Sequence, residues 1–240
     1  MAATQLSISP KYLNVNEIFG PTIQGEAIHT GQHVGFLRLA GCNLSCSWCD
    51  TPYSWDWSRY NKAEESHKMT LDEVAEQIKA MKVKRLIVTG GEPMLQQIRF
   101  AQLQELTGCK LDIETNGTIA PKDGVEQAVD LFCVSPKLAH ANNPEAARIK
   151  AEPLIRFAEL AAEGKALFKF VAKDISDFDE IDEICNLAYI PTESVWIMPE
   201  GADTVTQLDT ARKLADAVIK RGWNLSLRVH TLIWNQERAR

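Results

Sequence analysis

Apolar residues in this chain gather in short runs separated by stretches of helical periodicity. His33–Leu39, Arg85–Thr89, Cys109–Glu114, Leu131–Val134, Leu167–Val171 and Val195–Met198 have the length and composition of buried strands. A strand is also expected near the start, over Asn14–Phe19, leading into a turn through Gly20–Glu26. Another is expected near the end, over Asn224–Val229, with His230 at its tip. Thr70-Leu-Asp-Glu73 has the form of a capping box, and Leu71, Val74, Ile78 and Met81 share one helical face. Further helices are expected from Gly90-Gly-Glu-Pro93 to Leu106 and over Glu152–Glu163, Phe178–Leu187 and Thr206–Arg221. Residues 40–69 read as a long loop, in which Tyr53, Trp55 and Trp57 cap the core, and residues 139–151 read as a linker-like loop.

Strands that alternate with helices of about ten to fifteen residues imply βαβ units and a mostly parallel sheet. The expected architecture is therefore α/β, one domain over residues 1–240, forming a complete or partial barrel. Polar motifs rich in Gly and Pro recur just after strands: Gly90-Gly-Glu-Pro93, Thr115-Asn-Gly117, Ser135-Pro-Lys137 and Pro199-Glu-Gly201. In parallel α/β folds ligands sit beyond the carboxyl ends of the strands, so these motifs should share one mouth.

Composition narrows the function. The formal charge is 26 − 32 = −6, which argues against a nucleic-acid surface and for a small-molecule substrate. No apolar run approaches the ~18 residues a membrane helix needs. Met1-Ala-Ala-Thr-Gln-Leu-Ser7 shows neither a basic nor an apolar leader region, so a reducing cytoplasm is the expected compartment for the six cysteines.

Three of those cysteines carry the chemistry. Cys42, Cys46 and Cys49 stand in a C-x3-C-x2-C spacing inside ten residues, close enough to converge on one soft metal centre. Three thiolates on a cubane leave one iron open for a ligand, whereas a structural zinc takes four protein ligands. On spacing alone two alternatives stand: a zinc site completed by His29, His33 or His67, or buried thiols without metal. Cys109, Cys133 and Cys185 fall in no motif and read as buried strand or helix residues, with Cys109 or Cys133 able to face the cavity.

The cysteine spacing and Gly90-Gly91-Glu92-Pro93 together resemble the radical S-adenosylmethionine enzymes, which build a (β/α)6 barrel, complete or partial. The resemblance then narrows. Glu17-Ile-Phe19 with Gln24-Gly25-Glu26, Phe36-Leu-Arg38-Leu-Ala-Gly-Cys42, Cys49-Asp-Thr51, Thr89-Gly-Gly-Glu-Pro-Met-Leu-Gln96, Ile113-Glu-Thr-Asn-Gly117, Val134-Ser-Pro-Lys137 and Leu225-Ser-Leu-Arg-Val-His230 look like 7-carboxy-7-deazaguanine synthase, in order along nearly the whole chain. That family converts 6-carboxy-5,6,7,8-tetrahydropterin to 7-carboxy-7-deazaguanine with loss of ammonia, on the pathway to queuosine and other deazapurines.

The resemblance implies a set of roles. Cys42, Cys46 and Cys49 would hold a [4Fe–4S] cluster that cleaves S-adenosylmethionine, and the resulting 5′-deoxyadenosyl radical would take the hydrogen at the pterin C6. Ile23, Gln24, Gly25 and Glu26 would read the pterin edge. Arg38 would hold the substrate carboxylate in its fork. Thr89 and His230 would complete the substrate site, and Thr51 would ligate Mg²⁺. Trp48, Asp50, Gly91, Ser135, Pro136 and Lys137 would bind the cofactor, with Cys49 shared between cluster and cofactor. The family also implies a flavodoxin- or ferredoxin-type reductant and a homodimer. The chain departs from the family pattern at Met198-Pro199-Glu200-Gly201, and it carries a basic extension over residues 231–240. Two other readings share parts of the signature: an activating enzyme that installs a glycyl radical on a protein partner, and a non-catalytic Fe–S or zinc redox sensor.

Overall fold

The computed structural model describes residues 12–235 and 237–239, so the leader reading of residues 1–7 lies outside the described residues. Among the described residues nine strands form one sheet: β1 (Tyr12–Ile23), β2 (His33–Leu39), β3 (His67–Thr70), β4 (Arg85–Gly90), β5 (Lys110–Thr115), β6 (Leu131–Val134), β7 (Ala166–Ala172), β8 (Val195–Pro199) and β9 (Asn224–Leu225). Their order is β3-β1-β2-β4-β5-β6-β7-β8-β9. From β2 to β9 every neighbouring pair is parallel, while β1 joins both β2 and β3 antiparallel. The sheet stays open, with β3 at one edge and β9 at the other, so the barrel is partial.

Strand alternation divides the sheet into two faces. On the outer face, Leu37, Leu86, Val88, Leu111, Ile113, Phe132, Phe168, Phe170 and Ile197 join one core with Val74, Ile78, Phe100, Phe157, Phe178 and Leu214 of the covering helices. The inner face carries two small apolar clusters, Val34-Phe36-Ile87 and Leu131-Cys133-Leu167, beside Val171, Met198 and a set of polar side chains that line the cavity. This alternation separates packing from chemistry. Residues one apart on a strand serve different ends.

Local chemistry sets the helices. Leu71–Ala80 starts on a capping box in which Thr70 accepts from the Glu73 N–H and the Glu73 carboxylate accepts from the Thr70 N–H. Thr204–Arg221 starts at Asp203, which accepts from the Thr206 N–H, and stops at Gly222 in a left-handed conformation.

Several expectations need correcting. Residues 20–23 continue β1 instead of turning, because a register shift between Phe19 and Thr22 absorbs Pro21 within the pairing with β2. The loop expected to reach Met69 contains β3, whose antiparallel pairing with β1 its sequence does not advertise. The run after Gly91 is first a 3-10 helix, Pro93–Arg99, and only then an α-helix, Phe100–Thr107. The closing strand is two residues long, and Val229–Trp234 is helical, so His230 sits in a helical turn. Residues 139–151 hold a 3-10 turn, Ala139–Ala141, and a helical turn, Glu145–Arg148.

Candidate active site

The carboxyl ends of the parallel strands open on a cavity of about 680 Å³. The loop after β2 brings Cys42, Cys46, Trp48, Cys49, Asp50 and Thr51 to it, and the end of β1 with the loop after it brings Ile23, Gln24, Gly25 and Glu26. Arg38, Thr89, Gly91, Ser135, Lys137 and His230 complete the wall. Every residue assigned from sequence is therefore on this cavity except Pro136, which is buried behind it.

The cysteine loop is held from several sides. Gly91 donates its N–H to Leu39 O at 3.0 Å, and Glu92 donates its N–H to Gly41 O at 2.8 Å. A Cβ on Gly91 would overlap the Gly41 carbonyl, so glycine is required there by the close passage of two backbones. Glu92 does not face the cavity. Its buried carboxylate accepts from Thr115 Oγ1 (2.8 Å), Asn116 N (2.7 Å) and Met94 N (2.9 Å). Burial pushes its pKa up against those hydrogen bonds. Glu92 thus ties its strand end to the start of the loop after β5.

A histidine-completed zinc site does not form. His29 Nδ1 pairs with Asp112 at 2.6 Å, and His33 and His67 are exposed. Among the described residues no three His, Cys, Asp or Glu side chains surround a single point. A cubane makes no such demand, since its thiolates bind separate irons. The sulfurs also sit as acceptors: Leu44 N–H points at Cys42 Sγ (3.4 Å), Asn143 Nδ2–H at Cys46 Sγ (3.2 Å) and Trp55 Nε1–H at Cys49 Sγ (3.2 Å). Burial pushes the Cys42 thiol up to about 12. Beside them the Trp48 indole N–H is buried without a partner among the described residues, and Lys137 Nζ lies 5.6 Å from that ring's centroid. This donor set fits an iron–sulfur cluster with a polar ligand next to it.

The opposite wall is a polar network on inner-face positions. Gln24 accepts from the Gly25 N–H (2.7 Å) and donates to Glu114 Oε1 (3.2 Å), while Thr89 donates to Glu114 Oε2 (2.8 Å). Arg38 gives its Nε–H to Glu17 at 2.7 Å and stands over Phe19, which stacks on Phe36. Glu26 is gripped by Lys169 on one oxygen and Arg228 on the other, and Arg228 also reaches Asp50 at 2.6 Å. Burial alone would raise the Glu26 pKa, but Lys169 and Arg228 together hold it well below the ordinary carboxylate value of 4.5. His230 packs so tightly on Gly25 that a Cβ there would collide with its ring. Burial lowers its pKa below 6.5, leaving the imidazole neutral at pH 7.

Glu114, Lys169 and Arg228 line the cavity without a role assigned from sequence, although Glu114 and Arg228 fall inside recognised motifs. The signal for Lys169 is a lone charge on an otherwise apolar strand, Leu167-Phe-Lys-Phe-Val171, and for Glu114 an alternate position of Leu111-Asp-Ile-Glu-Thr115. The extension also reaches the cavity: Asn235, Glu237, Arg238 and Ala239 line it, and Arg238 pairs with Glu17 (3.0 Å) and Glu65 (2.9 Å) over the Tyr53 ring. No helix is long and apolar enough to cross a membrane among the described residues.

Comparison with known proteins agrees with this geometry. Residues 37–137 match the model of the Radical SAM superfamily. The chain is 34% identical to a 7-carboxy-7-deazaguanine synthase of Pyrobaculum aerophilum, covering 98% of this chain and all of the relative. It is also 34% identical to one of Hyperthermus butylicus, over 92% of each. The crystal structure of QueE from Escherichia coli superposes with a TM-score of 0.69 at 25% identity, over 91% of this chain and 95% of that one. With a cysteine loop and a polar wall at the mouth of a partial parallel barrel, the chain belongs to the 7-carboxy-7-deazaguanine synthase family of radical SAM enzymes.

Proposed function

We propose that this chain converts 6-carboxy-5,6,7,8-tetrahydropterin to 7-carboxy-7-deazaguanine with loss of ammonia, on the route to queuosine and other 7-deazapurines. The observation that carries the reading is one cavity with three thiol sulfurs on one wall and Arg38, Gln24 and Thr89 on the other. Cys42, Cys46 and Cys49 would hold the [4Fe–4S] cluster, with S-adenosylmethionine against Trp48, Asp50, Gly91, Ser135, Pro136 and Lys137. When bound, the pair supplies a 5′-deoxyadenosyl radical able to take a hydrogen atom from the pterin.

The chain's own residues position the substrate. Glu17 takes the Arg38 Nε–H, which fixes the guanidinium plane and leaves its terminal nitrogens for a carboxylate. Gln24, Thr89 and Glu114 form one hydrogen-bonded row suited to the donor and acceptor edge of a pterin. Glu26 is committed to two cations, so it shapes this edge by holding Lys169 and Arg228 in place. His230, held neutral, offers a nitrogen able to accept a proton. Phe19 and Phe36 supply an apolar stacked wall beside Arg38.

Mg²⁺ at Thr51 belongs to the same reading. The Thr51 hydroxyl is a single hard ligand, so the ion would complete its shell with substrate oxygens and water. Residues 1–240 would work as one catalytic domain in the cytoplasm, served by a flavodoxin- or ferredoxin-type reductant, and as a homodimer; these rest on the family resemblance. Sedimentation velocity tests the dimer.

An anaerobic assay tests the function. The reconstituted, reduced protein is given S-adenosylmethionine, Mg²⁺ and 6-carboxytetrahydropterin, and 7-carboxy-7-deazaguanine is sought by mass. 5′-Deoxyadenosine without deazaguanine would leave the superfamily chemistry intact and sink the substrate assignment.

A further inference from the structure

The three cysteine sulfurs have donors of different origin, and two of those donors have no assigned role. Cys42 Sγ receives the Leu44 N–H from its own loop. Cys49 Sγ receives the indole N–H of Trp55, on the turn that closes the loop. Cys46 Sγ receives an amide N–H of Asn143, which lies 97 residues away in sequence.

Asn143 is built into the site. It is buried, and its Oδ1 accepts the backbone N–H of Ser45 at 2.9 Å. A backbone N–H can only donate, so that contact fixes Oδ1 toward Ser45 and turns Nδ2 toward the sulfur. The segment carrying Asn143 is docked on the cysteine loop by further bonds: Ser47 N to Ala141 O at 3.1 Å, Asn142 Nδ2 to Ser47 Oγ at 3.0 Å, and Ser47 Oγ to His140 O at 3.4 Å. Residues 139–143, read as linker from sequence, form one wall of the cysteine site.

We propose that Asn143 and Trp55 are positioning residues that set the reduction potential of the cluster through their N–H···S bonds. Hydrogen bonds to ligating sulfurs stabilise the form with more negative charge on sulfur, which is the reduced form. Each donor therefore raises the potential and makes a hard one-electron reduction more accessible to the cell's reductant. Only the equilibrium of an electron entering the cluster is affected.

The inference rests on the cluster reading above, and one experiment separates the two. The full chain and its Trp55→Phe and Asn143→Ala variants are reconstituted anaerobically, assayed for iron and sulfide, and titrated reductively by EPR without S-adenosylmethionine. Four irons per chain are expected in all three. Each variant should shift the reduction equilibrium about tenfold toward the oxidised form, a fall of 59 mV for a one-electron couple. Trp55→Phe keeps an aromatic ring at the site while removing the indole N–H, so it decides the matter if Asn143→Ala loses iron. A full cluster in Trp55→Phe with less than a twofold shift overturns the proposal. Failure of the parent chain to hold four irons overturns the cluster reading instead.

Discussion

Lys169→Met removes one of two cations from a buried carboxylate, and the loss can be worked from the geometry. Lys169 is 6% exposed, at the centre of a strand whose every residue is buried, and its ammonium meets Glu26 Oε2. Arg228 Nε holds Glu26 Oε1 at 3.2 Å. Leaving a buried charge with no partner costs about 3–5 kcal/mol. Glu26 would keep one of its two cations, so about half of that, roughly 2–3 kcal/mol, is expected in urea unfolding of the metal-free protein. For a chain of this size, each kcal/mol lowers Tm by about 2–4 °C.

The double variant Glu26→Gln/Lys169→Met removes both charges and leaves Arg228 its contact with Asp50. It should recover at least ~1.5 kcal/mol relative to the sum of the single losses. The pH dependence has a definite sign. The folded pKa of Glu26 is depressed, so its stabilisation is present above the unfolded value of 4.5 and is lost as pH falls below it. Lys169 is shifted upward, so its share is fully present below its ordinary 10.5 and fades only in alkali. The gap between parent and Lys169→Met should therefore be widest near neutrality and close in acid. Additive single losses, or a gap that persists unchanged into acid, would refute the account.

Three other substitutions probe the cavity. Arg38→Lys keeps the charge but loses the fork. KM for the carboxypterin should rise about 10- to 100-fold, from roughly 1.5–3 kcal/mol for a charge-assisted hydrogen bond, while KM for S-adenosylmethionine stays within twofold. Gly91→Ala forces a Cβ into the Gly41 carbonyl. It should cost about 1–3 kcal/mol and drop the reconstituted iron below four per chain, and normal iron with an unchanged unfolding midpoint would contradict the backbone-contact argument. Gly25→Ala pushes the His230 ring aside. Circular dichroism should be unchanged while kcat/KM falls on the order of 10²-fold, the scale of a misplaced group in an active site.

The residues that sequence could read and those it could not differ in how far apart their partners lie. The capping box at Thr70 is closed within four residues, and the cysteine loop within eight, so both are written locally. Gly91 reads from sequence as a cofactor residue, and its close neighbour in the fold is the Gly41 backbone, a pairing set by β2 lying beside β4. Glu92 sits in the recognisable motif yet turns inward, because three donors satisfy it, Met94 in its own run and Thr115 and Asn116 at the end of β5.

Glu114 and Lys169 were the harder case. Lys169 interrupts an apolar strand and Glu114 lies on an alternating one, and neither pattern says which groups the polar face will meet. The structure decides: the covering helices join Ile113, Phe168 and Phe170 in the core, so Glu114 and Lys169, which alternate with them, face the cavity. Arg38 pairs in register with Thr89, and Lys169 with Trp196, so the chemical wall is a row across strands and not a segment along one. Asn143 extends the same logic. An asparagine in a polar loop carries no motif, and its meaning comes only from the sulfur it meets 97 residues away. Where a family resemblance supplies the motif residues, the next residues to look for are therefore isolated polar groups on apolar strands and buried amides in loops. Those positions are set by strand order, and strand order is what short motifs do not encode.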